Sequence, residues 1–174
     1  MPLRHRPRPR PTHLLISSMC RMPDTFALYR KLTALPLGKQ AFSFLFAQKA
    51  PYFWTVRPQV REVRPNHAEL TIRKRRAVQN HIGTVHAIAV CNGLEAAMGL
   101  LAEATVPQDR RWIPKGMEVA YTAKSTTDLL CTADTDPADW EQTGDVKVRV
   151  RAIREDGTPV VEGVITIYVS DKKK

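Results

Sequence analysis

The chain has 174 residues, 43% of them hydrophobic, with 27 Lys and Arg against 17 Asp and Glu. That is the range of one ordinary globular domain, which at this size buries roughly 70% of the surface its unfolded chain exposes and needs neither metal nor disulfide to hold a core. No stretch reaches the ~20 consecutive apolar residues of a bilayer crossing, which argues against a membrane-spanning segment.

The formal charge of +10 would suit a nucleic-acid partner, but its distribution argues otherwise. Arg4, Arg6, Arg8, Arg10 and Arg21 lie in residues 1–22, which hold no acid, and Lys172, Lys173 and Lys174 end the chain. Setting these tails and Asp171 aside leaves 19 basic and 16 acidic residues, a body of +3. Three cysteines, Cys20, Cys91 and Cys131, are too few for a disulfide framework and suit a reducing, cytoplasmic setting. The five histidines show no metal-binding spacing, so no metal site is expected.

In chain order, residues 1–22 alternate Arg with Pro and read as a disordered leader or, since Met19 and Met22 precede a helix-capping Asp24, as a mis-assigned start. Residues 23–171 form the single domain, and 172–174 are a basic tail. Phe26, Leu28, Tyr29, Leu32 and Leu35 recur at helical spacing before Pro36. A second short helix spans about Gly38 to Lys49, with Phe42, Leu45 and Phe46 as a packing stripe. Tyr52 to Val63 and Ala68 to Val78 read as strands around an Arg64-Pro65-Asn66 turn. Ala68, Leu70 and Ile72 face one side of the second strand, and Glu69, Thr71 and Arg73 the other. Alternation resumes around Met117 to Tyr121, Leu130 to Ala133, Val146 to Val150 and Val160 to Val169. The last two strands are joined by the Glu155-Asp156-Gly157-Thr158 hairpin turn.

Between them, Ala87 to Ala102 reads AIAVCNGLEAAMGLLA, apolar around nearly its whole circumference. Such a helix must be buried on all sides, and a curved antiparallel sheet of about six strands is the natural cover. Gly93 and Gly99 each cost helix propensity by ~1 kcal/mol, which points to close backbone packing. Asn92 and Glu95 carry the strongly polar side chains there. Glu95 shares a stripe with Ile88, Cys91, Met98 and Ala102, so it faces apolar surroundings, either as a catalytic carboxylate or as a structural one paired with Arg73 or Arg75. Just upstream, Asn80-His81-Ile82-Gly83-Thr84-Val85-His86 forms a loop leading into the helix, whose first amides are free to polarise a carbonyl. Thr84 is the expected N-cap and His86 a first-turn residue.

Asn80, Gly83, His86 six residues after the Asn, and Glu95 nine after the His resemble the hotdog-fold thioesterases, specifically the phenylacetate-type acyl-CoA thioesterase group. Ala50-Pro51-Tyr52-Phe53, Asn80 to Ala87 and Lys115-Gly116-Met117 resemble more closely a bacterial hotdog subgroup of unassigned function. The resemblance covers about residues 37 to 171 and implies an α+β fold, a curved antiparallel sheet around a long central helix with short N-terminal helices. It also implies a dimer or tetramer with its active site at a subunit interface, and hydrolysis of an acyl-CoA thioester with CoA entering only as part of the substrate. Glu95 would be base or nucleophile, and the amide near Ala87 or Ile88 would polarise the carbonyl. Asn80 and His86 would join Glu95 as catalytic residues, fixing the loop, thioester or water; Gly83, Thr84, Ala87 and Ile88 would contact the substrate, and Arg73, Arg75 and Lys115 would meet CoA phosphates. The sequence departs from the pattern where His-Gly-Gly becomes His86-Ala87-Ile88 and where Gly99 replaces a Thr four residues past the acid. A noncatalytic acyl-thioester-binding protein is therefore the alternative reading.

Overall fold

The computed structural model describes residues 24–141 and 143–172, so the expectations for residues 1–22 and for the end of the basic tail lie outside the described residues. Helix α1 (Thr25–Thr33) is capped by Asp24, whose Oδ1 accepts from the amides of Phe26 and Ala27. Helix α2 (Gly38–Lys49) follows, then strands β1 (Gln59–Arg64) and β2 (His67–Ile72), the central helix α3 (Ala87–Thr105), and strands β3 (Arg110–Tyr121), β4 (Leu129–Asp134), β5 (Gly144–Arg154) and β6 (Pro159–Asp171). The six strands form one antiparallel sheet in the order β1-β2-β4-β5-β6-β3.

Helix α3 packs on β1, β2, β4, β5 and, more lightly, β6. One straight helix can touch five strands only if the sheet bends around it, and this is the hotdog arrangement. Ala68, Leu70 and Ile72 from β2, Leu129, Cys131 and Ala133 from β4, and Ile165 and Ile167 from β6 are buried with Val90, Leu94, Met98 and Leu101 of the helix. At 19 residues α3 is long and apolar enough to cross a membrane by length and composition, contrary to the expectation that no segment is. Its apolarity is accounted for by burial against the sheet.

Two predicted strands are shorter than expected. Residues 51–55 form a 3₁₀ turn, because Pro51 suits its first position while Pro58 cannot donate to a ladder, so β1 starts only at Gln59. Phe53 stacks on Phe46 instead of joining the sheet, with centroids 5.3 Å apart. Likewise β2 ends at Ile72, before the run Arg73-Lys74-Arg75-Arg76, and a second 3₁₀ turn covers Arg76–Val78. The α2 stripe is split: Phe42 and Phe46 are buried, while Leu45 is exposed. Tyr29 links the helical layer to the sheet, its hydroxyl accepting from the Val63 amide at 3.2 Å.

The β5–β6 hairpin turns at Gly157, φ +83, where Arg154 and the amide and hydroxyl of Thr158 draw the Asp156 carboxyl down from 3.8 to about 2. That anchoring is present above the carboxyl's ordinary value and lost as pH falls through about 2.

Gly93 is packed as its cost in propensity suggests, since a Cβ there would meet Cys131 Sγ at 3.0 Å and Ile72 at 3.2 Å. Gly99 is not: its added methyl would sit 3.6 Å from Trp112, in ordinary contact. At Gly163 a Cβ would approach the Glu118 carbonyl oxygen to 2.1 Å across the β3–β6 ladder. Gly99→Ala should therefore raise stability by up to ~1 kcal/mol through helix propensity. Gly163→Ala should lower it by about 3 kcal/mol through backbone overpacking, with both read from denaturant midpoints.

Candidate active site

The loop before α3 is organised by one side chain. Asn80 Oδ1 accepts from the amides of Ile82 (3.2 Å) and Thr84 (3.1 Å), and its Nδ2 donates to Thr84 Oγ1 at 2.8 Å. The Asn80 amide in turn donates to the Thr84 carbonyl, and the Gly83 amide to that of Asn80. Gly83 supplies the φ of +76 that closes the turn. Asn80, Gly83 and Thr84 thus build the loop, and the Asn80 amide group is spent on it.

The helix cap differs from the expected one. His86, not Thr84, is the N-cap: its Nδ1 accepts from the Ile88 amide at 3.1 Å. Thr84 is instead buried and bonded to Asn80. Two consequences follow for a carbonyl placed at this helix start. The Ile88 amide is already engaged, which leaves the Ala87 amide as the donor of the pair. An Nδ1 that accepts fixes the neutral imidazole with its proton on Nε2, facing away from the cap and able to donate.

Along α3, the stripe Ile88, Cys91 and Glu95 is the part the sheet leaves uncovered. Ile88 is 57% exposed, and Cys91 and Glu95 are half-buried, whereas Met98 and Ala102 further along are fully buried. Glu95 is therefore less enclosed than the wheel implied, because the sheet covers the second half of the stripe and not the first. Its carboxylate has no hydrogen bond or ion pair among the described residues. Neither arginine proposed as its structural partner reaches it: Arg75 Nη2 donates to the Thr55 carbonyl, and Arg73 lies exposed on a cleft with Trp54 and Arg57. Lys115 sits on β3 at the opposite edge of the sheet, bound to Asp145 at 2.6 Å, so it is not brought together with the two arginines.

Three features here escaped the sequence reading. Tyr121, at the end of β3, places its hydroxyl 3.4 Å from Cys91 Sγ, and that contact, ahead of burial, raises the phenol above its ordinary 10.0. Asn92, 5% exposed, donates to Thr55 Oγ1 at 2.9 Å and ties the 3₁₀ turn to α3, while its Oδ1 and Arg75 Nε are buried without a partner. On the outer sheet face, His67 lies between Asp134 (Nδ1, 2.7 Å) and Glu69 (Nε2, 3.2 Å), with Glu62 alongside and held by Arg64. Of these, Glu62, His67 and Glu69 could offer a metal three ligand atoms within 4.8 Å of one another. Strand pairing alone assembles it, with His67 opposite Asp134 and Glu62 opposite Glu69.

Residues 38–169 match the family described as a domain of unknown function, DUF4442. The chain belongs to that family. A DUF4442 member is similar in structure to a structural-genomics protein, APC5556, at 44% identity and a TM-score of 0.76, over 86% of this chain and 99% of the other. It is also similar to a probable thioesterase from Pseudomonas aeruginosa (19% identity, TM-score 0.67, 79% of this chain and 97% of that one). A third is a hypothetical thioesterase from Streptococcus pneumoniae with coenzyme A (12%, TM-score 0.57, 67% and 88%). No curated protein matches the sequence. These neighbours have the hotdog fold of thioesterase families, which confirms the architecture expected from the Asn80 to Glu95 pattern.

The two described thiols differ sharply. Cys131 is fully buried, and burial, with a smaller contribution from Cys91, pushes its thiol from 9.0 up to about 12. The unfolded chain ionises first, so this group lowers stability as pH rises above 9, and the loss levels off near 12. In a Cys20→Ser, Cys91→Ser variant, the remaining thiol should not react with a chromogenic disulfide at pH 8 until denaturant is added. Prompt reaction in the native protein would contradict its burial.

Proposed function

We propose that this DUF4442 member hydrolyses an acyl-CoA thioester with Glu95 as general base or nucleophile. The observation that carries the reading is the Glu95 carboxylate itself, half-buried on a partly covered stripe of a core helix and without a partner among the described residues. A structural carboxylate in such a place would be paired, because burying an unpaired charge is costly. Acting as a base, Glu95 takes a proton from water as the water oxygen attacks the thioester carbonyl carbon. The C–S bond then breaks and the thiolate leaves, collecting that proton. Acting as a nucleophile, it attacks the thioester carbon, the C–S bond breaks with the CoA thiolate leaving, and water hydrolyses the resulting mixed anhydride to the acid and the free Glu95 carboxylate. The Ala87 amide and the Nε2–H of His86 would stabilise the developing oxyanion, with Asn80 holding the loop that positions them. The coenzyme A bound to the Streptococcus pneumoniae neighbour supports a CoA thioester as the substrate class.

Helix geometry supports a homodimer or larger homo-oligomer. Ala87 and Glu95 are eight residues apart, about 12 Å along the axis, too far for both to act on one carbonyl. Two copies bring one chain's Glu95 to the other chain's helix start. Strand β3 offers the joining edge: it ends the sheet, runs 12 residues, and leaves Ile113 and Tyr121 exposed.

A noncatalytic acyl-thioester-binding role is favoured by one observation, the engagement of the Ile88 amide by His86 where the thioesterase pattern carries glycines. Binding of acyl-CoA without turnover would select it. Across an acyl-CoA panel, Glu95→Gln should lower kcat by about 10²- to 10⁴-fold with a small change in KM, and unchanged turnover would exclude the hydrolytic reading. Light scattering on the eluting protein should give at least twice the 19.7 kDa chain mass, and a monomer with full activity would exclude the two-chain site.

A further inference from the structure

We propose that the corner formed by α1, α2 and the edge strand β1 docks on an anionic lipid bilayer, a contact that goes beyond the hydrolytic reading and does not depend on Glu95. A cleft of about 700 Å³ opens there. Lys39, Arg57, Arg61 and Arg73 line it, and no carboxylate does. Among the described residues those cations have no ion pair. Lys39 Nζ donates to the Arg61 carbonyl at 2.6 Å, Arg61 Nε to the Thr71 hydroxyl at 2.9 Å, and Arg57 stands 5.3 Å over the Trp54 ring. Elsewhere on the described surface, Arg64, Lys115, Arg149, Arg151 and Arg154 each hold a carboxylate, while Lys49, Lys74 and Arg111 bond hydroxyls or carbonyls, so what marks the corner is four cations gathered on one cleft without an acid. Next to the cleft, burial and, to a smaller extent, the nearby charge of Arg57 lower the Arg75 guanidinium below its ordinary value.

The rim of the same cleft is apolar. Leu35 (62%), Leu37 (75%) and Phe44 (52%) stand largely in solvent, with Trp54 packed edge-on against Phe44. Leu37 holds φ +60, a conformation that branched, bulky residues rarely adopt, so the tip presents leucine at a position where glycine or asparagine would be easier. Protruding apolar side chains ringed by unpaired cations need a partner that is apolar and anionic at once. A second copy of the chain, placed symmetrically, would set four cations against the same four. Residues 1–22 of the chain itself bring five arginines and no acid, so they would be repelled as well. An anionic bilayer answers both requirements, with headgroups for the cleft and acyl interior for Leu35 and Leu37. The basic residues outside the described structure would add to the same attraction.

Flotation of the full chain with phosphatidylcholine vesicles, with and without phosphatidylglycerol, tests this. Binding is expected only to the anionic vesicles, weakened at least about tenfold in Leu35→Ser/Leu37→Ser and again in Lys39→Gln/Arg57→Gln, and retained in Glu95→Ala. All four mutated side chains are exposed, and circular dichroism checks that each variant is folded. Equal binding to neutral vesicles, or unchanged binding by the leucine variant, would overturn the proposal. So would binding that disappears on removing residues 1–22 yet survives both corner variants. Binding of monomeric dihexanoyl phosphatidylglycerol or of an acidic peptide, with none to vesicles, would replace the bilayer by a soluble anion and overturn it as well.

Discussion

Everything in this protein depends on covering a helix that is apolar almost all the way round. Between Ala87 and Thr105, eleven helix residues are buried, and no single flat surface could bury that many directions at once. The sheet solves this by bending, with β2 and β4 packed along the helix and small or branched residues such as Ala68, Ala133 and Val148 letting the backbones come close. Gly93 marks a close approach of helix and sheet, where Cys131 and Ile72 leave little room for a methyl. The α1–α2 layer closes the remaining side through Tyr29, Phe42 and Phe46, with Asn92 bonded to the turn that follows.

The cover is incomplete along the first half of the helix, and the proposed catalytic carboxylate, Glu95, sits there. Ile88, Cys91 and Glu95 are only partly covered by the sheet, so a carboxylate can occupy a core helix without a partner among the described residues. Upstream, the rigid Asn80 loop fixes where the helix begins and therefore where its unsatisfied amides point. His86 plays two parts, since capping Ile88 through Nδ1 determines which of its nitrogens remains to donate. The price of that arrangement is one fewer free amide at the helix start.

Much of this was legible in the chain. The boundaries of α2, the alternation of Ala68, Leu70 and Ile72 against Glu69 and Thr71, the β5–β6 hairpin and the central helix all follow from local periodicity and turn chemistry. The errors fell at Tyr52 to Val56 and Arg73 to Val78, where apolar or branched residues imitate a strand. There Pro51, Pro58 and the four-residue basic run take the backbone out of the sheet. Asn80 and Thr84, read from the sequence as parts of one loop, are joined by hydrogen bonds, and Gly83 takes the positive φ between them. The N-cap was misassigned, because Thr84 and His86 are both capable acceptors and only the Val78–His86 pairing decides which lies at the helix start.

Sequence by itself determined the class of fold and the identity of the polar groups at its centre, because both are set by spacing along one chain: 3.6 for the helix, two for the strands, six and nine between Asn80, His86 and Glu95. Tertiary structure decided what those groups are free to do. Whether Glu95 is paired, whether the Ile88 amide is available, and whether Lys115 can stand beside Arg73 depend on strand order and on which helix face the sheet leaves open. Those are contacts between residues far apart in the chain, and periodicity carries no record of them.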